Sequence, residues 1–379
     1  MPIASKLPDV GTTIFAIMSK MANDHGAINL SQGFPDFPIS SELIELVNKY
    51  MLEGKNQYAP MPGLPELRQS IAESFQYKRG VDINPDTEIT VTAGATEAIY
   101  ATISALVSTG DEVILFDPAY DCYDPTIRLN GGIPVHLTLK QPDFSIDWDE
   151  VEKTITKKTK LIMINTPHNP SGAVLNQEDL LRLQEIADKH DIFVLSDEVY
   201  EHIIFGQTHQ SALLYESIRK RSIAIFSFGK TFHATGWKSG YIIAPEAITT
   251  EIRKIHQFLT FSVHTPTQYA LADLLKSPMN YMHIHEMYEQ KRDIFQNAVK
   301  DSRFEIIPCN GTYFQLLSYK NISDLSDMDM AAMLTKEHGI ASIPISVFYQ
   351  NKQDDKLLRF CFAKNEATLQ KAGEILCKI

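Results

Sequence analysis

The chain has 379 residues, 44% hydrophobic and 22% charged, which is the make-up of an ordinary globular protein with room for two or three domains, not of a disordered or fibrous one. Its formal charge of −12 argues against nonspecific nucleic-acid binding, which needs a basic surface. A local pocket on an acidic protein can still be positive.

Residues 1–45 read as short pieces broken by "QGFPDFP". From residue 88 a regular alternation begins. "EITVTAG" (88–94) reads as a strand, "TEAIYATISALV" (96–107) as a helix, and "DEVILFD" (111–117) and "KLIMIN" (160–165) as strands. "DLLRLQEIADKH" (179–190) places Leu180, Leu183, Ile186 and Ala187 at helical spacing. "IFVLSDE" (192–198), "SIAIFSF" (222–228) and "GYIIAP" (240–245) are again short apolar strands. Apolar runs without strict alternation, separated by helices, predict an α/β domain: a mainly parallel sheet covered on both faces, spanning 46–280. After Pro266 comes a long helical tract, then "EIIPCNGTYFQLL" and "LLRFCFA", which read as antiparallel strands. The two ends, 1–45 and 281–379, are expected to form one smaller α+β domain.

In an open parallel sheet, ligands bind beyond the carboxyl ends of the strands, so the residues just after each strand matter most. After the first stand Gly94, Ala95 and Thr96, where free N–H groups at a helix start suit a phosphate. A plain N-cap by Thr96 reads equally from the same residues. "DPAYDCYDP" brings Tyr120 and Tyr123, each able to stack on a flat ligand or simply to pack. In "NTPHNPSG", Asn169 stands before Pro170, either presenting its amide or belonging to a proline-fixed turn. "SDEVY" ends an apolar run on Asp197, whose burial demands a cationic or donor partner, with Tyr200 close behind. "SFGKTFHATGWKSG" supplies Ser227, Lys230 and Lys238, a hydroxyl and two amines around one point. An anion cradle, an aromatic, an amide, a carboxylate, a phenol and an amine together suit a flat, phosphorylated, cationic aromatic aldehyde, a description that fits pyridoxal 5'-phosphate.

Other chemistries find less support. There is no GxGxxG and no Walker loop, so a dinucleotide or ATP site is not expected. "HIHE" puts His283 and His285 two apart, on different sides of a helix, and "HEMYE" is not a zinc pattern, so no metal site is expected. The four cysteines, Cys122, Cys309, Cys361 and Cys377, are widely spaced and suit reduced thiols. With no apolar run of about eighteen residues and no signal-peptide pattern, the expectation is a cytoplasmic protein with no membrane partner. His168 and His233 adjoin these residues without a role that the pattern assigns.

The motifs "QYAPMPGLPELR", "AGATEA", "DPAYDCY", "NTPHNPSG", "SDEVY", "SFGKTFHATGWKSGY" and "LRFCFA" occur in this order. In that, the chain resembles, over essentially its whole length, the class I aminotransferases of the fold-type I pyridoxal-phosphate family. "LSQGFPDF", "DCY", "GKTFHATGWKSGY" and "HTPTQ" are most like the methionine, glutamine and kynurenine aminotransferase branch. The resemblance implies that Lys230 binds the cofactor aldehyde covalently and serves as general base once freed. It implies that Asp197 keeps the ring nitrogen protonated, that Asn169 and Tyr200 bond the ring oxygen, and that Tyr120 covers the ring. Gly94, Ala95, Thr96, Ser227 and Lys238 would hold the phosphate, with Tyr58 reaching it from the second subunit of a homodimer. Arg359 would clamp the substrate carboxylate, with Gly33 and Phe34 in the loop that closes over the substrate. Lys238 departs from the arginine that many members carry there, replacing a planar fork by a point charge.

The activity so implied is transamination of an amino acid with a 2-oxo acid acceptor. A C–S β-lyase could use the same residues. A non-catalytic ligand-sensing module is disfavoured by the retained Lys230. Phe34, Tyr58, Tyr120 and the segment 261–264, which ends at His264, are largely aromatic and favour an apolar or sulfur-containing side chain. The branch resemblance points to methionine, with aromatic amino acids, glutamine and kynurenine next.

Overall fold

The computed structural model describes residues 3–379. The N-terminal residues are more ordered than their broken pattern predicts. Ile14–His25 is a helix whose start is capped by the Thr13 side chain and whose end turns on Gly26 at φ +60. It leads into a two-residue strand, β1 (Ile28–Asn29).

Seven strands then build the large sheet: β2 (Ile89–Thr92), β3 (Glu112–Asp117), β4 (Ile133–Thr138), β5 (Thr159–Asn165), β6 (Phe193–Asp197), β7 (Ser222–Ser227) and β8 (Gly240–Ile243). Their order is β2-β8-β7-β6-β5-β3-β4. The neighbours from β7 through β4 run parallel, whereas β8 lies antiparallel to both β7 and β2. The sheet is thus mainly parallel, as expected. The sequence reading lacked β4, and its position explains why. It is an edge strand with Pro134 in it, and only Leu137 along it is buried, so it carries no apolar run. Where the sheet is covered on both sides, alternate residues divide between two cores: Ile223 and Ile225 join one cluster, Ala224 and Phe226 the other.

The tract after Pro266 is three helices, not one: Thr265–Leu275, Met279–Met282 and Ile284–Val299. Pro278 sits at the break before the second. Beyond them lie β9 (Glu305–Ile306), β10 (Phe314–Ser318), β11 (Ile340–Ala341), β12 (Ile343–Pro344) and β13 (Leu357–Cys361). Four of these form an antiparallel sheet in the order β12-β13-β10-β9, while β11 pairs in parallel with β1, Ile28 opposite Ile340. The start of the chain is therefore built into its C-terminal third. No helix of the described residues is long and apolar enough to cross a membrane.

Candidate active site

The carboxyl ends of β2, β6 and β7 open on one side of the large sheet, and three turns meet there. The first runs from β2 through Gly94, at φ +80, into the helix Ala95–Leu106. Its opening N–H groups have no partner inside the helix. The second carries Lys238, a left-handed residue at φ +50, whose side chain runs close to Gly94: a Cβ there would stand 3.5 Å from Lys238 Cε. Gly240 lets the strands close up, since a Cβ on it would lie 2.6 Å from the Phe226 carbonyl and 3.2 Å from the Ala95 nitrogen. Around this end gather Ser227, Thr235 and Ser239, and the Ser239 hydroxyl is buried without a protein partner.

The third turn is the short helix Phe228–Thr231 after β7, which carries Lys230. Its Nζ donates to the Tyr313 hydroxyl at 2.7 Å and lies 5.4 Å from the centre of the Tyr200 ring. Burial lowers the amine to about 8, with Arg359 and Lys238 pushing the same way and Asp197 opposing. Asp197 is the last residue of β6. It accepts from the Tyr123 hydroxyl at 2.6 Å and the Val199 N–H at 3.2 Å, so the donors its burial demanded are present. Burial still pushes the carboxyl up to about 6, against the pull of those two donors and of Lys230. Asn165 donates to the Asp197 carbonyl at 2.9 Å and accepts from the Asn169 N–H at 2.8 Å, which ties the turn after β5 to the end of β6.

The far end of the site comes from β13. Arg359 is 1% exposed and stacks 3.9 Å from the Phe314 ring centre, with Phe15 and Phe348 beyond. Its Nη1 donates to Asn169 Oδ1 at 2.8 Å and its Nη2 to the Ser31 carbonyl at 3.3 Å. Its Nε has no protein partner. A buried guanidinium with a donor left over is a receptor for an anion.

A single cavity of about 260 Å³ joins these ends, lined by Gly33, Gly94, Ala95, Thr96, Tyr120, Asn169, Asp197, Tyr200, Ser227, Lys230, Lys238 and Arg359. Its charged lining is three cations, Lys230, Lys238 and Arg359, and one carboxylate, Asp197, the reverse of the balance of the whole chain. Of the residues expected on the substrate side, Tyr120 lines it, whereas Phe34, Tyr58 and the segment 261–264 stay outside it. Phe34 is 45% exposed and meets Lys364, whose Nζ donates to its carbonyl at 2.8 Å and lies 4.9 Å from its ring centre. Tyr58 is 84% exposed and packs edge-on against Phe261. Within one chain, then, neither Phe34 nor Tyr58 lines the cavity.

Asn165, Ser239, Phe15 and Phe314 line the cavity without having been assigned a role from sequence, and Tyr123, read as a ring that stacks or packs, instead serves through its hydroxyl, which donates to Asp197. Tyr123 follows Tyr120 by nearly one helical turn and Ser239 adjoins Lys238, so proximity was a usable signal. Tyr313 had none, being 83 residues from Lys230. The histidines are structural in their contacts. His168 bonds Ser171 at 2.7 Å, His233 bonds Tyr288 at 2.9 Å, and His264 bonds Thr267 at 2.7 Å.

Comparison with known proteins agrees with this geometry. The family model for "Aminotransferase class I and II" matches residues 25–376. A methionine aminotransferase of Escherichia coli (strain K12) is 52% identical, with 98% of this chain and 97% of that protein covered. A kynurenine–oxoglutarate transaminase of Dictyostelium discoideum is 35% identical, covering 97% of this chain and 94% of its own. A crystal structure from Escherichia coli reported with a methionine aminotransferase function superposes with a TM-score of 0.98 at 51% identity, each chain covered in full. The chain belongs to the class I and II aminotransferase family.

Proposed function

We propose that this enzyme is a pyridoxal-phosphate-dependent aminotransferase acting on an amino acid with an apolar or sulfur-containing side chain, methionine first, with a 2-oxo acid as acceptor. The observation that carries the reading is the pairing of a buried lysine and a buried carboxylate between two anion receptors. Methionine is preferred because the 52% identical relative is a methionine aminotransferase and because the lining beside Arg359 is apolar, with Phe15 and Phe314.

The residues fit the cofactor. Ser239 Oγ, unpartnered and buried, stands with Ser227, Thr235 and Lys238 at the open helix start of Ala95 and Thr96, a place for a phosphate. Asp197 supplies a carboxylate for a cationic ring nitrogen, Tyr120 an aromatic face, Asn169 and Tyr200 donors for a ring oxygen, and Lys230 an amine for the aldehyde. Bound pyridoxal phosphate supplies an electron sink for the pair left behind when an α-carbon loses its proton.

The protein's own groups do the rest. Arg359 holds the substrate carboxylate and so points the α-carbon at the lysine. Lys230 Nζ, lowered to about 8 by burial, is neutral in an appreciable fraction near neutral pH and takes the α-proton. Asp197 stays ionised above about 6 and holds positive charge opposite it. The Tyr200 phenol, raised by burial, stays protonated and acts as a donor.

The exposed ring of Tyr58 on Phe261, with Phe258 86% exposed nearby in sequence, supports a homodimer in which Tyr58 reaches the phosphate of the second subunit. The pairing of β1 with β11 supports a small domain made of 1–45 and 281–379 beside a large one of 46–280. Four free cysteines support a reducing, cytoplasmic setting.

The test is an absorption spectrum of the cofactor-loaded protein, titrated with methionine and then with a 2-oxo acid. Bleaching by methionine and recovery with the oxo acid is the expected result. Pyruvate and ammonia released from a C–S conjugate at a comparable rate would replace transamination by β-elimination. A protein that takes up no cofactor would overturn the reading of Lys230.

A further inference from the structure

Tyr313 has no part in the reading above, yet it holds the closest contact of Lys230. Its ring is fully buried. Lys230 Nζ donates to its hydroxyl at 2.7 Å, and that hydroxyl donates to the Gly33 carbonyl at 2.5 Å. A phenol has one proton and two lone pairs. With the proton engaged by Gly33, the oxygen offers Lys230 only lone pairs, which favours a nitrogen that donates and the charged ammonium most of all. With Gly33 withdrawn, the same proton is free to turn toward Nζ, and the preference moves to the neutral amine.

We propose that Tyr313 is a positioning residue that couples the seating of the N-terminal loop at Gly33 to the proton held on Lys230. This rests on the reading of Lys230 as the cofactor-binding lysine. The loop has little slack: a Cβ on Gly33 would stand 2.8 Å from the Phe314 ring. The same loop carries Ser31, whose carbonyl accepts from Arg359 Nη2. One short segment therefore touches the arginine that receives a carboxylate and, through one hydroxyl, the lysine that moves a proton. A ligand that draws Arg359 away from Ser31 is felt at Lys230 by this route.

The other groups around the pair do not supply the coupling. Lys230 faces Asp197 on β6, Lys238 in the turn before β8, and Arg359 and Cys361 on β13. Tyr313 faces Tyr200, Tyr288 and Cys361. Burial raises Tyr200, Tyr288, Tyr313 and Cys361 alike, so these four stay neutral near neutral pH. The charged neighbours Asp197, Lys238 and Arg359 make no hydrogen bond to Gly33.

The test uses the full chain stripped of cofactor, with pyridoxal phosphate as the probe. The rate at which its absorption band grows follows the neutral fraction of Lys230, so its pH midpoint reports that amine. Tyr313→Phe removes the acceptor and keeps the ring. The midpoint is expected to fall by about one unit relative to wild type, and the probe's own titrations cancel in the comparison. Amide exchange over residues 31–37 is expected to rise severalfold in the same variant. Gly33→Ala, which lifts the loop off Phe314 while leaving Tyr313 in place, is expected to lower the midpoint in the same direction. A folded Tyr313→Phe with an unchanged midpoint overturns the proposal, and so does a shifted midpoint with unchanged exchange over 31–37. Wild-type protein that captures no probe overturns the cofactor reading itself, and the coupling with it.

Discussion

Arg359→Lys keeps a positive charge and removes the planar fork, and the loss follows from the geometry. A guanidinium has five N–H donors. Asn169 Oδ1 engages one, the Ser31 carbonyl another, and Nε is unpartnered. Three N–H groups (five less two) therefore remain for a ligand, enough for two parallel bonds to a carboxylate. An ammonium has three donors, so the same two protein acceptors leave it one. The difference is one charge-assisted hydrogen bond, about 1.5–3 kcal/mol, which is about 10–150-fold in kcat/KM for methionine. The assay compares methionine with its decarboxylated amine in single-turnover reactions of the loaded enzyme. The lysine variant is expected to lose that factor for the amino acid and less than about threefold for the amine. An equal loss for both would refute the assignment, because it would place the damage in the aromatic packing of Phe15, Phe314 and Phe348 rather than in carboxylate recognition.

Tyr123→Phe removes the hydroxyl that favours the ionised form of Asp197, so its carboxyl rises further above about 6 by about one to two units. Cofactor retention measured against pH should then fail at a correspondingly higher pH, and an unmoved curve would separate Asp197 from cofactor binding. His136 bonds Asp117 at 2.7 Å and Asp124 at 3.2 Å; burial opposes its charge, but these two carboxylates overcome it and push the imidazole up to about 9. A raised histidine stabilises fully below its unfolded value near 6.5 and loses that contribution as pH climbs through about 9. The Tm gap between wild type and His136→Asn should therefore be widest near pH 6 and shrink through pH 9; a gap constant with pH would mean that the ring acts by packing alone. Glu201 accepts from Lys78 at 3.2 Å and from Arg79, pinning the helix Pro65–Arg79 to the turn that carries Tyr200. Glu201→Gln leaves the Arg79 guanidinium, whose side chain is buried, and the partly buried Lys78 without their counter-charge and should cost about 3–5 kcal/mol in chemical denaturation; a cost under about 1 kcal/mol would show that these cations are hydrated in solution.

How much of this could be read from the chain depends on what kind of element presents each residue. A parallel sheet covered on both faces puts all its carboxyl ends on one side. Gly94, Asn169, Asp197, Ser227 and Lys230 each stand at or just after the end of a strand with a clear apolar run, and all five line the cavity. The edge strand β4 has no such run, being half-exposed and interrupted by Pro134, so the hydrophobic pattern passed over it. The helix Ile14–His25 was hidden for a related reason: along it only Ile14, Met18 and Ala22 are buried, a stripe too narrow to stand out beside the prolines that follow.

The C-terminal sheet obeys a different rule, and there the pattern alone was weakest. In an antiparallel sheet a residue reaches a site by the face it is on, not by standing at a strand end. Arg359 sits mid-strand opposite Leu316 and was located through its "LRF" motif, not through any physical signal. Tyr313 precedes the same sheet by one residue, and the stretch before it is bridged to the segment after β6, Gly311 to Ile204 and the Thr312 N–H to the Ile203 carbonyl, so it meets Lys230 from a distant part of the chain. No local preference encodes a contact of that kind. Phe34 and Tyr58 extend the point: each ring meets one partner in the chain, Lys364 for Phe34 and Phe261 for Tyr58, and neither contact brings it to the cavity. Legibility therefore falls along one axis, from residues placed by the end of a strand, through residues placed by register, to residues such as Tyr313 placed by contacts between distant segments.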